Sequence, residues 1–504
     1  MKPAVWPSHP LLYQVNARVL VNELSREMGK KISLATLPDR LIDEWASYGF
    51  DAIWLMGVWT TGTIGLEIAR TNPVLLEQYE RTLPDFAIDD VVGSPYAVKS
   101  YTVSPMLGRN AGLAALRKRL AKKGISLILD FVSNHTARDH AWVEKSPEFY
   151  VNGSKGDDVT SPDRFFSADT SKGQKVLAYG RDPYFPGWTD TAQLNIKHPR
   201  TRQAMIRELR KIAAICDGIR CDMAMLLLQE VFESTWGDLG KPVDASPATG
   251  EFWSEAIEEV RKDYPSFMFI AECYWNREWQ MQKLGFNYTY DKILYDRLLR
   301  EGAPSVQEHL RADLDYQKHS LRFLENHDEP RAAQTLPSHS WHFAAATVAA
   351  TVPGMMMFHE GQLEGRKLRT PIQLGRRPVE PVSEPIRMFY HRLLASIGDP
   401  TFKEGEWKLL NAKPAWHDNE TWRDFIVFWW RGASGERFVV VNYAPQNGQC
   451  YIEMGLQGFT GSRIEFRDIL GEATYVRDKG SLLTKGMYFD LPPYGVHMFD
   501  VKPM

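Results

Sequence analysis

The pattern of hydrophobic positions changes near residue 400. Before that point, short and continuously apolar runs alternate with stretches whose apolar residues recur every three or four positions. Such runs are typical of strands in a parallel sheet buried on both faces, and the recurring positions predict amphipathic helices. Eight runs fit this description, at residues 11–16, 50–56, 126–131, 218–222, 267–271, 286–290, 321–324 and 355–358. They favour a closed (β/α)8 barrel, although the pattern alone also allows an open, doubly wound sheet.

Two segments depart from this alternation. Residues 136–199 are rich in Gly, Pro, Ser and Asp and too long for an ordinary loop, which predicts an irregular subdomain inserted after the third strand, over the barrel mouth. From residue 399 onward apolar and polar positions alternate between turn-forming stretches, which predicts an antiparallel β-sandwich. We therefore predict an α/β protein whose (β/α)8 TIM barrel comprises residues 1–135 and 200–398, with the insert at 136–199 and a C-terminal β domain at 399–504.

Composition narrows the possible partners and the compartment. A net charge of -3 gives no reason to expect a nucleic acid or an anionic membrane as partner. The four cysteines show no metal-ligand spacing, which predicts free, buried thiols in a reducing compartment. The N-terminal residues contain no apolar signal segment, and no run of 18 apolar residues occurs, so we predict a cytoplasmic protein that does not associate with membranes. The sequence does not determine the oligomeric state.

Acidic residues lie where a barrel places its reactive side chains, at the carboxyl ends of the strands. Arg220 and Asp222 are two positions apart in a strand, so both point to the same side, and the cation keeps the carboxylate ionised as a nucleophile requires. Taken alone, this pair is more typical of a structural ion pair at the end of a strand. Glu272 and Asp328 follow two further strands, so three carboxylates are expected in one cleft. Two suffice for retaining glycoside hydrolysis.

Four short motifs, in this order, resemble the four signature regions of the α-amylase superfamily (glycoside hydrolase family 13). They are Asp130-x-x-x-Asn134-His135, Gly218-x-Arg220-x-Asp222, Glu272 after an apolar strand, and Asn326-His327-Asp328. The resemblance implies that Asp222 is the nucleophile, that Glu272 is the general acid and then base, and that Asp328 stabilises the transition state. It assigns substrate contacts to Tyr96, His135, Arg220, His327 and Arg331. Asp130 is predicted to be structural.

The resemblance also bears on metal binding. Asn134 corresponds to a calcium ligand in many members of the superfamily. Those members carry an aspartate near the position that Gln193 occupies in this chain, so one acidic ligand is missing. We therefore predict a structural Asn134, no metal site and no cofactor, although calcium stays possible.

The reaction and its substrate are the least determined part. The stretch from Asn326 to Arg331 resembles a form found in exo-acting α-glucosidases, where the arginine and an upstream aspartate close the cleft, here Asp89 or Asp90. We predict a retaining α-glycosidase that hydrolyses α-1,4-glucosidic bonds in maltodextrin-like oligosaccharides by double displacement. The alternatives are a transglycosidase, phosphorylase or isomerase of the same superfamily, which uses a sugar or phosphate as acceptor, and a non-catalytic amylase-like scaffold. A barrel enzyme with a metal held by His135 and His327 is a further alternative.

Overall fold

Eight parallel strands form a closed barrel in the computed structural model, which describes residues 6–242, 244–456 and 459–504. In chain order the barrel strands are β1 (Leu11–Asn16), β2 (Ala52–Met56), β3 (Ser126–Val132), β4 (Gly218–Asp222), β5 (Met268–Ala271), β6 (Tyr288–Tyr290), β7 (Ser320–Arg322) and β8 (Met355–His359). Each strand pairs with its neighbours in sequence order, and β1 closes the barrel by pairing with β8. The predicted (β/α)8 barrel is therefore confirmed, and the open sheet is excluded.

Alternate side chains of the strands point into the barrel and form a core of their own. Trp54, Ile128, Ile270 and Met357 belong to this inner cluster and are almost completely buried. The next inward position along a strand is two residues further on, and for Ile270 that position is Glu272. Because inward positions recur every two residues, apolar side chains fill the barrel centre and polar side chains lie at its carboxyl end.

Gly218 at the start of β4 is required by the close packing of the barrel. A Cβ atom at this position would lie 2.5 Å from Cβ of Met268 and 2.7 Å from Cδ1 of Ile128, and both of those residues are on the flanking strands. Any larger residue would push the strands apart just before the position of Arg220.

Helices surround the barrel and pack on the outward-facing side chains of the strands. Their bounds are Ala17–Glu27, Asp39–Ser47, Arg109–Lys122, Pro199–Ala213, Gln229–Trp236, Phe252–Asp263, Glu278–Lys283, Lys292–Arg300, Ala303–Leu310, Leu314–Lys318, Ala332–Thr335, His339–Thr351, Glu384–Ile397 and Pro400–Glu404. No helix in the described part of the chain is long and apolar enough to cross a membrane. All four cysteines are buried free thiols, as predicted.

Two excursions from the barrel lie on the side of its mouth. The segment after β3 contains the hairpin Phe165–Thr170 and Gly173–Ala178, the paired strands His135–Ala137 and Thr191–Gln193, and the short helices Ala141–Lys145 and Asp157–Thr160. The segment after β2 contains the paired strands Trp59–Thr61 and Val98–Val103 and the helices Thr63–Thr71 and Pro73–Thr82. This second excursion, which carries Tyr96, was not predicted.

The C-terminal region forms two antiparallel sheets that face each other. The larger sheet contains, in spatial order, Glu406–Leu409, Phe425–Gly432, Gly435–Asn442, Val496–Pro503, Arg463–Asp468 and Thr474–Asp478, and the smaller one Ala412–Lys413, Gly448–Ile452 and Met487–Leu491. A helix, Lys479–Lys485, precedes the last strand of the smaller sheet. Side chains of both sheets share one apolar core. The other face of the larger sheet packs on the barrel, where the Trp430 indole donates to the carbonyl of Thr351 at 2.7 Å.

Candidate active site

The guanidinium of Arg220 joins two of the predicted catalytic carboxylates. Its Nη1 lies 2.7 Å from Oδ1 of Asp222, and its Nη2 lies 2.8 Å from Oε2 of Glu272. The two acids are at the carboxyl ends of the neighbouring strands β4 and β5. Their side chains are only 8% and 4% exposed. One buried cation therefore holds both carboxyl groups in one cleft, as the spacing of Arg220 and Asp222 along the strand predicted for that pair.

Glu272 is held in place by two further donors. The backbone N–H of Met223 donates to its Oε2 at 2.6 Å, and the hydroxyl of Tyr274 donates to its Oε1 at 2.9 Å. Met223 has a φ of 41°, in the left-handed region that a residue with a side chain seldom adopts. This unfavourable backbone turns the chain directly after Asp222, and strain of this kind is concentrated at functional sites.

The surroundings of Glu272 favour its protonated form. Burial raises the pKa of Glu272 to about 7, the charge of Arg220 opposes this rise, and the charges of Asp222 and Asp328 add to it. Burial likewise raises the pKa of Asp130 to about 7, although Arg220 lies 3.7 Å away. Loss of hydration and repulsion between like charges thus outweigh the ion pair. A carboxyl with a pKa near neutrality is suited to give up and take back a proton.

His327 connects Tyr96 to the third carboxylate. Its Nε2 lies 2.6 Å from the hydroxyl of Tyr96 and 3.0 Å from Oδ2 of Asp328. The Trp54 indole meets the imidazole edge-to-face, with ring centroids 5.5 Å apart. Burial and the charge of Arg220 hold the pKa of His327 well below its ordinary value, so the imidazole is neutral.

Asp328 faces the open side of the cleft. Its side chain is 46% exposed, in contrast to Asp222 and Glu272. Oδ1 of Asn326 accepts from the N–H groups of residues 328 and 329, both at 2.8 Å, and fixes the turn that presents this carboxylate. Arg369 donates to the carbonyl of Asp328 at 3.1 Å.

His135 lies beside Tyr96, within reach of the charge of Asp222. It is buried, it lies against the backbone of Tyr96, and the Trp188 ring from the insert packs on it at 5.1 Å between centroids. Burial lowers the pKa of His135, so this imidazole is neutral as well. The charge of Asp222 acts on it. The structure thus brings His135, Tyr96 and the carboxylates to one end of the barrel.

The position that holds calcium in many family members does not suit a cation here. Nε2 of Gln193 donates to Oδ1 of Asn134 at 2.9 Å and to its carbonyl at 3.0 Å, while Nδ2 of Asn134 donates back to Oε1 of Gln193 at 3.1 Å. The oxygens that would ligate calcium therefore already accept N–H groups. In the described ranges no group of three or more His, Cys, Asp or Glu side chains is arranged to hold a metal.

The guanidinium of Arg331 is buried and paired with a glutamate. Its Nη1 lies 2.7 Å from Oε1 of Glu325 and 2.7 Å from the carbonyl of Glu360, both deep in the barrel end. Asp90 binds Arg376 instead, at 2.6 Å, and the exposed Asp89 is 3.8 Å from Arg70. The sequence suggested that Arg331 and Asp89 or Asp90 together close the cleft, and in the structure they belong to separate ion pairs. The glutamate six residues before Arg331 is buried with it and requires a cation.

Aromatic side chains form a rim on the side of Glu272. Tyr184 and Phe185 of the insert are 69% and 65% exposed. Oδ1 of Asp182 accepts from both of their N–H groups, at 2.6 and 3.0 Å, so the exposed tip has a fixed backbone. Tyr184 meets the Trp275 ring at 5.1 Å, and Trp275 has a φ of 65°. Exposed, rigidly held aromatic rings are surfaces on which sugars stack.

Several contacts of the site were not predicted from the sequence. Gln14 of β1 contacts His327, Tyr274 contacts Glu272, and the hydroxyl of Tyr290 accepts from Nε of Arg220 at 3.2 Å. A partial signal exists, because Gln14 and Tyr290 occupy polar positions within otherwise apolar strands. Such residues point into a barrel only if the register places them there.

The chain is similar to known proteins in both sequence and fold. A family model described as "Alpha amylase, catalytic domain" matches residues 46–368, more than half of the chain and all three carboxylates. The chain belongs to the α-amylase family. The resemblance seen in the four motifs is confirmed, and with it the assignment to the glycoside hydrolases.

Individual relatives of this α-amylase family member are distant. The chain is 24% identical over 373 residues to "Alpha-amylase MalA" of Haloarcula japonica, covering 72% of this chain and 45% of that protein. It is 23% identical over 282 residues to "Trehalose synthase/amylase TreS" of Mycobacterium tuberculosis, covering 53% of this chain and 40% of that protein. The chain thus spans about half the length of the curated relatives it matches.

The fold extends the likeness to the whole chain. The crystal structure of the maltogenic α-amylase AmyB from Thermotoga neapolitana matches with a TM-score of 0.67 at 18% identity, covering 99% of each chain. At this identity the match shows the shared architecture of barrel and C-terminal β domain, and no more.

Proposed function

We propose that the chain is a retaining α-glycosidase that hydrolyses α-1,4-glucosidic bonds in maltodextrin-like oligosaccharides by double displacement. The observation that carries this proposal is the bridge that Arg220 makes between Asp222 and Glu272. It keeps two carboxyl groups close together in one buried cleft, and the surroundings raise the pKa of Glu272 to about 7. Two carboxyl groups with separate protonation states are what this reaction requires.

The proposed reaction has two steps that share one intermediate. In the first, protonated Glu272 gives its proton to the glycosidic oxygen while a carboxylate oxygen of Asp222 bonds to the anomeric carbon and the leaving sugar departs as an alcohol. In the second, ionised Glu272 takes a proton from water, the water oxygen bonds to the same carbon, and Asp222 leaves as a carboxylate. Two inversions give a product with the α-configuration of the substrate.

The remaining groups hold the sugar through the distortion that this reaction requires. Asp328 is exposed to the cleft, so its carboxylate accepts sugar hydroxyls and binds them more strongly as positive charge develops on the ring. Neutral His135 and His327 donate or accept at neighbouring hydroxyls, and Tyr96 presents its ring beneath the sugar. None of these roles requires a metal ion or a cofactor.

The expected substrate is a short, soluble oligosaccharide in the cytoplasm. The aromatic rim of Tyr184, Phe185 and Trp275 offers stacking area for a few sugar units near the mouth. Because this rim has room for only a few sugar units, we expect short maltodextrins to be favoured over granular starch.

The test is the anomeric form of the first product. With maltoheptaose as substrate, ¹H NMR during the first minutes should show the new reducing end as the α-anomer, followed by mutarotation. Initial release of the β-anomer contradicts retention. Asp222→Asn is the control, and with it no product should form.

A transfer or isomerisation reaction is the second candidate, because four of the matched relatives, from Mycobacterium, Mycolicibacterium and Pimelobacter, have trehalose synthase in their names. The same covalent intermediate would then be attacked by a sugar hydroxyl instead of water. Incubation with maltose at high concentration, with and without phosphate, followed by chromatography of the products, distinguishes the acceptors. Glucose as the main product supports hydrolysis, and trehalose, longer oligosaccharides or a sugar phosphate supports another acceptor.

A further inference from the structure

A buried amide contacts the imidazole of His327 at Nδ1, the ring nitrogen that does not contact Tyr96 and Asp328. Gln14 of β1 is completely buried, and its Nε2 lies 2.6 Å from Nδ1 of His327. The two residues are 313 positions apart in sequence. Oε1 of Gln14 is also buried and has no hydrogen-bond partner. An orphaned, buried oxygen destabilises the fold, so the orientation of this amide requires a reason.

The orientation of the amide follows from the contacts of the other ring nitrogen of His327, Nε2. A neutral imidazole has one N–H group and one lone pair, and the partner of each nitrogen determines which is which. Nε2 of His327 lies 3.0 Å from a carboxylate oxygen of Asp328, which in its ionised form only accepts. The proton therefore belongs on Nε2, and the Tyr96 hydroxyl at 2.6 Å accommodates this because it can accept as well as donate. Nδ1 is then left with a lone pair.

The two possible orientations of the Gln14 amide are not equivalent in this setting. As the structure has it, the amide N–H donates to the lone pair on Nδ1. Turned by 180°, Oε1 would meet that lone pair at the same short distance, and two acceptors would repel each other. The lone pair on Nδ1 of His327 therefore holds the amide in the orientation that leaves Oε1 without a partner. In turn, the amide N–H in this orientation keeps the proton of His327 away from Nδ1.

We propose that Gln14 is a positioning residue that keeps the proton of His327 on Nε2, toward Tyr96, Asp328 and the sugar. The proposal rests on the proposed function, since it assumes that His327 contacts substrate. The charged and titratable groups around the imidazole are Tyr96, Asp222, Asp328, Arg220, His359 and Arg369. Within the described residues, Tyr96 and Asp328 contact Nε2, whereas Nδ1 is contacted by Nε2 of Gln14, so Gln14 is the residue that determines the state of this nitrogen.

Two substitutions separate the amide's roles. Gln14→Glu places an acceptor against Nδ1 and should draw a proton onto that nitrogen. Gln14→Met keeps the volume and removes the donor. Gln362→Glu is the matched control, because Gln362 is a second buried glutamine at the same barrel end whose amide contacts the His359 N–H and the Tyr390 hydroxyl.

The direct measurement is the protonation of each ring nitrogen by long-range ¹H–¹⁵N NMR on histidine-labelled full-length protein. The resonances of His327 are assigned from their loss in His327→Asn. The wild type should show a protonated Nε2 and a bare Nδ1 across neutral pH, and Gln14→Glu should show a protonated Nδ1. Gln362→Glu should leave His327 as in the wild type. A wild-type His327 protonated on Nδ1, or a bare Nδ1 in Gln14→Glu, would overturn the proposal.

Kinetics add a second readout. In Gln14→Met, kcat on the best oligosaccharide substrate should fall about tenfold with KM changed less than about twofold, because the imidazole acts mainly in the transition state. An unchanged kcat would contradict a positioning role. If the wild type cleaves no α-glucoside, the proposed function fails, and the NMR result still decides the proposal about Gln14.

Discussion

Replacement of Glu272 by glutamine should abolish activity and stabilise the fold, and the stabilisation should depend on pH. Glu272 is buried, and its pKa in the folded protein is about 7, against an ordinary value of 4.5. Burial is the main cause, so the folded protein holds a proton that the unfolded chain releases. The acid that the proposed reaction requires is therefore also a source of instability at neutral pH.

The magnitude follows from the two pKa values. The difference between 7 and 4.5 corresponds to about 3 kcal/mol at about 1.36 kcal/mol per pH unit. The wild type should lose this stability as pH rises from 4.5 to 7, because over that window the unfolded state gives up the Glu272 proton and the folded state retains it. Glutamine carries no such proton, so the advantage of Glu272→Gln should grow over the same window and be complete above it.

The assay is thermal unfolding of both proteins from pH 4.5 to 8.5. An unfolding entropy of about 2.1 cal/mol/K per residue gives about 1 kcal/mol per degree for a chain of 504 residues, so the difference in Tm should widen by about 3 °C. A constant offset is expected in addition, since Arg220 loses one anionic partner, and only the change with pH tests the argument. Glu67→Gln, at an exposed position, is the control and should show no widening. A difference that stays constant, or that is largest at low pH, would refute the reasoning.

Three further outcomes are expected. Asp222→Ala should lower kcat by about 10⁴-fold or more, and azide should restore turnover with a β-glycosyl azide as product; failure of azide to be incorporated would count against Asp222 as nucleophile. Removal of calcium with EDTA should leave Tm and kcat unchanged, since Asn134 and Gln193 bind each other, and a lower Tm would show that they do not. Arg331→Met should destabilise the protein by about 3–5 kcal/mol in denaturant unfolding, because it leaves Glu325 buried without a cation, and the double variant with Glu325→Gln should recover most of the loss.

The order of elements and the position of the carboxylates were accessible from the sequence. All eight barrel strands lie within two residues of the predicted runs, because a strand buried on both faces must be apolar throughout and this property is local. The period of two within a strand placed Arg220 and Asp222 on one side, and the structure joins them at 2.7 Å. The four motifs identified the family that the comparison confirmed.

The partners of the site residues were not accessible in the same way. Arg331 was expected to close the cleft together with Asp89 or Asp90, and the sequence did not indicate that its partner is the buried Glu325. Gln14 and His327 meet only because β1 closes the barrel next to β8, across more than three hundred residues of chain. The excursion after β2, which brings Tyr96 to His327, has no alternation that distinguishes it from the surrounding helices.

The sequence by itself therefore determined the family, the barrel and the three carboxylates, since periodicity and short motifs depend only on neighbours along the chain. Tertiary structure alone decided the environment of those carboxylates: the burial that raises the pKa of Glu272 to about 7, the cation that Asp222 and Glu272 share, and the amide that faces His327. The physical reason is that a pKa and a buried hydrogen bond depend on how much water is excluded and on which groups from distant strands take its place.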